Sequence, residues 1–216
     1  MTHHLGWVLI LVALGAFLIG SIPFGLLIGR WFYSSDIRGA GSGNIGAANV
    51  LRTYGRAAGA AVLLLDALKG AFPTLVELHI AGDGAAATAA LFTVLGHCYS
   101  PWLHFRGGKG VATWFGALCA LSGFAGLTFA AVWLGVVAWR RVASLGSLVA
   151  SVVSAVVLVL VYRHIVAIEL AAALATIVIV VKHRANIARL KTGREPKLRF
   201  GRARVAPATG SSGRSG

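Results

Sequence analysis

Long apolar runs broken by short, glycine-rich and basic stretches set the rhythm of this chain. A helix crossing a bilayer needs about 20 apolar residues, and somewhat fewer where the bilayer thins or protein shields it. By that rule the pattern predicts spans near Leu5 to Gly29, Ala57 to Leu78, Ala85 to Leu103, Val111 to Leu121, Phe124 to Trp139, Leu148 to Tyr162 and Ile165 to Val181. The expected fold is all-α, a polytopic integral membrane bundle of about seven transmembrane helices. The fourth segment is short, and if Ser122-Gly123 is only a kink or a half-buried turn, five or six full crossings are the alternative. Small residues such as Ala57 to Ala61 and Ala85 to Ala90 suit close helix packing. The first segment is too long for a cleaved signal, lacks a basic start and runs into Gly20-Ser-Ile-Pro-Phe24, which favours a retained helix.

Composition agrees with that pattern. The chain is 57% hydrophobic and 12% charged, with a mean hydropathy of +0.81, too apolar for a soluble domain of 216 residues. Its net charge of +14 is one-sided. Lys and Arg are retained in the cytoplasm, so the N-terminus is expected outside and the C-terminus inside. The inner loops then receive Arg30, Arg38, Arg52, Arg56, Arg106, Lys109, Arg140, Arg141, Lys182 and Arg184, while Arg163 is outside with Glu77 and Asp83. A basic inner face fits anionic headgroups and anionic substrates. Nucleic acid is not expected as a partner, because no basic soluble domain exists to carry it. Residues 1–200 read as one membrane-embedded domain, and 201–216 as a disordered basic tail that tethers electrostatically to the surface. Cys98 and Cys119 are isolated thiols without CxxC or His-rich spacing. Neither a metal nor another cofactor is expected.

The inner loops can be read as one site, since the topology brings four of them to the same face. Backbone free of Cβ atoms can turn several N–H groups toward one anion, and a nearby Arg or Lys supplies counter-charge. The first loop carries Gly41, Ser42, Gly43, Asn44 and Asn49 and ends at Arg52; the second is Gly107-Gly-Lys-Gly110, with Lys109. A third, from Arg140 to Ser147, opens the next helix with Ser144 and Ser147, suited to N-capping or to bonding a phosphate. In the fourth, His183 and Asn186 lie three residues apart and share a face if helical. Each feature has a bland reading: a tight turn, a positive-inside anchor or a helix cap. Within the second span, Asp66 and Lys69 at three-residue spacing read as a buried structural pair, which relieves the cost of an isolated charge. Glu169 is unpaired in sequence, either facing a polar contact or lying near Arg163; Glu195 is expected to tie the tail to the basic loops.

The strings Gly20-Ser-Ile-Pro-Phe-Gly25, Gly41-Ser-Gly-Asn-Ile-Gly46 with Asn49 and Arg52, Leu63-Leu-Leu-Asp-Ala-Leu-Lys-Gly70, Gly96-His97, Gly107-Gly-Lys-Gly-Val-Ala-Thr113, Ser144-Leu-Gly-Ser147 and His183-Arg-Ala-Asn-Ile187 with Gly193-Arg-Glu-Pro196 resemble the bacterial acyl-phosphate-dependent glycerol-3-phosphate acyltransferases, the PlsY family. The similarity covers roughly the first 198 residues; departures are Ala48 where Thr is expected, the run from Cys98 to Trp102, and Arg194 before Glu195. The resemblance implies acyl transfer from acyl-phosphate to the sn-1 hydroxyl of glycerol 3-phosphate, giving lysophosphatidic acid and phosphate, with membrane lipids as surroundings. It implies Ser42, Asn44, Arg52, Lys109, His183 and Asn186 as catalytic, and Gly41, Gly43, Asn49, Gly107, Gly108, Gly110, Ser144, Ser147 and His97 as substrate-binding. In that picture Arg52 and Lys109 clamp the acceptor phosphate, and the backbone from Gly41 to Asn44 holds the donor's head.

Two other lipid-synthesis mechanisms lack their residues: Trp102, not Asp, stands five positions after His97, and no Asp-rich helix exists to bind a metal. A transporter or binding protein for an organic or lipid phosphate is the competing reading. Its basic breaks belong near the bilayer midplane rather than at one face.

Overall fold

The computed structural model describes residues 2–198, and the regular elements among them are helices. In chain order these are α1 (Thr2–Ser21), α2 (Phe24–Tyr33), α3 (Ala47–Tyr54), α4 (Arg56–Ile80), α5 (Asp83–Cys98), α6 (Val111–Leu121), α7 (Gly123–Arg140), α8 (Ala143–Val161), α9 (Val166–Lys182) and α10 (Arg184–Lys191). Single 3₁₀ turns occur at Ile37–Gly39 and Pro101–Leu103. Gly6–Tyr33, Arg56–Ile80, Gly123–Arg140 and Ala143–Val161 are long and apolar enough to cross a membrane, and α9 with α10, bent by 60°, adds a fifth if the pair is one span. The basic tail at 201–216 lies outside the described residues.

Two helix boundaries differ from the hydropathy pattern and a third departs from the kink alternative, each for a local reason. The first apolar run is two helices, because Pro23 has no N–H to continue the ladder. The carbonyls freed at that break are taken by distant side chains: Ser100 Oγ donates to Ser21 O at 2.7 Å and Lys69 Nζ to Ile22 O at 2.8 Å. The third run ends at Cys98, not Leu103; Lys182 Nζ caps the Cys98 carbonyl at 2.7 Å, and Pro101 holds Ser100 extended. Ser122-Gly123 is a full break rather than a kink, with Ser122 Oγ accepting the Ala125 N–H at 3.3 Å as an N-cap. Across it Phe115 meets Phe129 with ring centroids 5.3 Å apart, and Gly126 packs against Cys119, so α6 and α7 form a hairpin. The 11 residues of α6 rise only about 16 Å at about 1.5 Å per residue, roughly half the apolar core of a bilayer.

Glycine sets the closest helix crossings. A Cβ on Gly70 would overlap the Thr113 carbonyl while one on Gly116 would overlap that of Ala67, so α4 and α6 touch backbone to backbone. The pair α1 and α5 repeats the device through Gly20 on Thr93 and Gly96 on Phe17. Apolar side chains gain no hydrophobic advantage from leaving lipid, so such contact supplies dispersion and weak Cα–H···O bonds instead. Around these crossings Trp114, Leu118, Leu158, Ile168 and Ile179 form the main core, and Ile37, Ile45, Val50, Val62 and Leu103 form a second that seats the first loop on α4. Leu11, Leu64, Phe72, Leu127 and Ile177 point outward, as a lipid-facing surface requires.

Two acidic residues find their partners. Asp66 pairs with Lys69 at 2.8 Å, both almost fully buried within α4. Glu169 accepts the His164 N–H at 3.2 Å.

Candidate active site

The first loop is folded around one amide. Asn49, 1% exposed on α3, accepts the Ser42 N–H at 2.9 Å and donates to the carbonyls of Ala40 at 3.0 Å and Asn44 at 2.9 Å. Gly41 and Gly43 take positive φ of +58° and +69° to close the turn, and a Cβ on Gly41 would overlap Asn49 Oδ1. Asn49 therefore shapes the loop, with both its amide hydrogens donated within it. The backbone expected to face the donor is also partly engaged, since Gly43 N–H reaches Ala40 O at 3.0 Å and Gly46 N–H reaches Asn44 Oδ1 at 2.9 Å. What remains outward is Ser42, whose hydroxyl accepts from Arg52 at 3.4 Å. At the loop's start Asp36 is clamped by Arg38 at 2.6 Å and Arg30 at 3.4 Å; the Arg38 guanidinium holds its carboxyl well below the usual range.

Arg52 ends up on α3 because Gly55, at φ +93°, turns the chain back so that Gly59 of α4 lies against Leu51. Lys109 is positioned from the other side, where Gly110 at φ +79° starts α6. Its ammonium donates to Asn186 Oδ1 at 2.6 Å. Burial pushes the Lys109 pKa down to about 8; Glu195 opposes that shift, and the charges of Arg189 and Arg52 add to it. Arg52 and Lys109 thus sense one another at one end of the bundle.

Glu195 is the hub beneath them. It accepts from Ser144 Oγ at 2.7 Å, from Arg189 Nε at 2.7 Å and from Asn186 Nδ2. Burial works against its ionised form, but these donors win and hold its pKa below the usual value. The bond from Leu198 N–H to Arg141 O, 2.7 Å, fastens the segment beyond it to the α7–α8 turn. His183, 2% exposed, sits at the 60° bend between α9 and α10. Its Nδ1 lies 2.7 Å from the Ile179 carbonyl, which can only accept, so Nδ1 carries the hydrogen and the neutral ring offers Nε2 as an acceptor. Burial pushes its pKa down to about 4, with the Lys109 charge contributing.

The structure therefore brings together Ser42, Arg52, Lys109, His183, Asn186 and Ser144, from all four loops. Asn44 lies half-buried in the loop with its side chain turned to Gly46. Ser147 is differently engaged: its hydroxyl donates to Ala143 O at 2.9 Å and accepts from Trp133 Nε1 at 3.3 Å. His97 stands under the second loop beside Asp66, 3.7 Å from its Oδ1 and 3% exposed. Gly107 and Gly108 pack on His97 rather than opening outward. Arg189 joins the site unforeseen; the available signal was its spacing of three from Asn186 on a helix, which sets both on one face. An open cleft of about 850 Å³ lies between the first loop and the segment that precedes the second, lined by Asp36, Arg38, Gly39, Gly43, His104 and Arg106. Among the described residues no three His, Cys, Asp or Glu side chains gather as a metal-ligand set.

Such a constellation can bind an anion through fixed cations and offers one neutral nitrogen acceptor. Residues 10–193 match the family model for glycerol-3-phosphate acyltransferase. The glycerol-3-phosphate acyltransferase of Gluconobacter oxydans is 46% identical over 200 residues, covering 90% of this chain and 95% of that one. Its counterpart in Brucella suis is 44% identical over 182 residues, covering 84% and 89%. The crystal structure of PlsY, an integral membrane glycerol 3-phosphate acyltransferase, superposes in its glycerol 3-phosphate form with a TM-score of 0.84 at 38% identity, covering 88% of this chain and 95% of that one. The lysophosphatidic acid form of PlsY gives a TM-score of 0.80 at 37% identity, covering 88% and 94%.

Proposed function

Since the chain belongs to the glycerol-3-phosphate acyltransferase family, we propose that it moves a fatty acyl group from acyl-phosphate to the sn-1 hydroxyl of glycerol 3-phosphate, releasing lysophosphatidic acid and phosphate. The observation that carries this reading is the meeting of Lys109 and Asn186 at 2.6 Å, over Glu195 and within electrostatic reach of Arg52. Two phosphorylated substrates repel, and fixed cations on rigid elements offset that repulsion without reorganising. Arg52 and Lys109 clamp the acceptor phosphate, with Ser42 and Asn186 completing its hydrogen bonds. The donor's phosphate rests at the outer rim of the first loop, beside the cleft that Arg38 and Arg106 line.

In the reaction the sn-1 oxygen attacks the acyl carbonyl carbon, the bond from that carbon to the phosphate oxygen breaks, and the hydroxyl proton leaves with the phosphate. Phosphate is a stable leaving group, so alignment supplies most of the rate. Well-oriented reactants gain about 7–11 kcal/mol, against about 10²- to 10⁴-fold from a general base. His183 with a pKa of about 4 is a weak base; its Nε2 orients the glycerol hydroxyl, and the substrate's phosphate takes the proton. No metal enters the scheme.

The meeting of the loops also supports a topology. With the segments before α4, after α5, before α8 and after α9 at one end, the pairs α4–α5, α6–α7 and α8–α9 each leave that end and return to it, the short α6 crossing only with a locally thinned bilayer and protein around it. Helix α1 makes the seventh crossing. The N-terminus is then outside, and the site faces the cytoplasm of a bacterial inner membrane, where arginine and lysine accumulate.

Two measurements test this reading. Purified protein should release phosphate from acyl-phosphate only when glycerol 3-phosphate is present, in EDTA and without coenzyme A or acyl carrier protein; release that needs a metal or a thioester carrier sinks the scheme. The pH profile tests the clamp. Lys109 binds phosphate only when charged, so kcat/KM for glycerol 3-phosphate should fall as pH rises through about 8. Lys109→Arg, which cannot titrate in that range, should remove this alkaline limb even if it lowers the plateau. An unchanged limb in that variant assigns it to another group.

A further inference from the structure

The second glycine loop rests on a buried cluster of charged and titratable side chains. Asp66, Lys69 and His97 are 2%, 4% and 3% exposed. Lys69 binds Asp66 at 2.8 Å and the Ile22 carbonyl at 2.8 Å; His97 Nδ1 faces the same Asp66 oxygen at 3.7 Å. The opposite edge of the His97 ring meets the loop. A Cβ on Gly108 would overlap His97 Nε2 and come within 2.9 Å of both adjacent ring carbons. The His97 carbonyl accepts the Gly108 N–H at 3.0 Å, and a Cβ on Gly107 would overlap that carbonyl. The next residue is Lys109, set 2.6 Å from Asn186. The other leg of the connection hangs from the α1–α2 break, through Ser100 Oγ on Ser21 O at 2.7 Å and Trp102 Nε1 on Ser21 Oγ at 2.8 Å.

We propose that His97, packed between the Asp66–Lys69 pair and the glycines of the loop, is a positioning residue that fixes the Gly107–Gly110 loop and through it the placement of Lys109. This rests on the reading of Lys109 as part of the acceptor clamp. An isolated ion pair inside a helix needs no imidazole beside it, and a turn needs no ring against its glycine; the stack from Asp66 through His97 to Gly108 joins the two. Its output is the location of one ammonium group. Misplacing a binding group by about 1 Å costs up to about 10²-fold, so the effect belongs on the acceptor's KM rather than on the donor's.

The test is a kinetic cycle on the purified full-length protein with His97→Ala, Gly108→Ala and the double variant, using Lys109→Ala as reference. Each single variant should raise KM for glycerol 3-phosphate about 10- to 100-fold, with KM for acyl-phosphate and kcat within about threefold. Removing the ring makes room for the new methyl group, so the double variant should be no worse than the poorer single one, a clear departure from multiplicative effects. Asp66→Asn should show the same split in weaker form. The inference is overturned if His97→Ala leaves the acceptor KM unchanged while Lys109→Ala raises it, if both substrates' KM values rise equally, or if the two changes multiply. Loss of folded protein in both single variants, read by thermal unfolding in detergent, would assign His97 to the fold alone. If Lys109→Ala itself leaves the acceptor KM untouched, the clamp reading fails first.

Discussion

Replacing Lys109 with alanine should raise KM for glycerol 3-phosphate by roughly two to three orders of magnitude, because truncating one partner of a desolvated charge pair costs about 2–5 kcal/mol. The ammonium is half-buried and donates to neutral Asn186, so no carboxylate there takes up its charge. The loss concentrates in KM, since acceptor phosphate is bound alike in ground and transition states. His183→Ala should follow the same pattern more mildly, because its Nε2 orients one hydroxyl. Steady-state kinetics on purified protein separate the terms. A kcat loss at saturating acceptor together with a shifted pH optimum for His183→Ala alone would show a true general base and overturn substrate assistance.

The second large effect concerns the bundle itself. Gly116→Ala should destabilise the protein by at least the 1–3 kcal/mol typical of overpacking, roughly, and by more if α4 and α6 must separate. The new methyl group meets the Ala67 carbonyl, which is backbone inside α4 and cannot rotate away. Gly70→Ala should behave alike, by striking the Thr113 carbonyl. Gly135 of α7 provides the contrast, as nothing lies within 4 Å of a Cβ there. Gly135→Ala should be neutral or slightly stabilising, by up to about 1 kcal/mol, because alanine favours the helix. Thermal unfolding in one detergent measures all three. Equal stability for Gly116→Ala and Gly135→Ala would refute the backbone crossing.

Much of this could be read from residues near one another in the chain. Lys109 between glycines, Arg52 after a glycine-rich loop, and His183 with Asn186 at helical spacing stand out because each motif is local and lies at the end of an apolar run. The membrane bundle was equally plain from run lengths. What escaped depends on contacts between distant positions. The break at Ile22 is invisible to hydropathy because Phe24 to Ile28 stays apolar; it is stabilised by Lys69 and Ser100, 47 and 79 residues away. His97, Asn49 and Ser147 have the right chemistry for substrate, yet their polar atoms turn toward Asp66, the first loop and Trp133. Glu195 was expected to bond the basic loops, but its central place among Ser144, Asn186 and Arg189 follows only from the fold.

The reciprocal glycine contacts bear on how the chain is made. Helix α1 leaves the ribosome long before α5, the partner that its Gly20 meets, so it must wait in lipid with that glycine face uncovered. Helix α4 likewise inserts before α6 and before His97 exists, carrying a carboxylate and an ammonium into hydrocarbon. Their spacing of three residues lets them neutralise each other within a single nascent helix, so the translocon receives a segment already free of net charge. Biosynthesis thus asks for self-contained helices first and tertiary closure last, with the Lys109–Asn186 contact made only when α10 arrives.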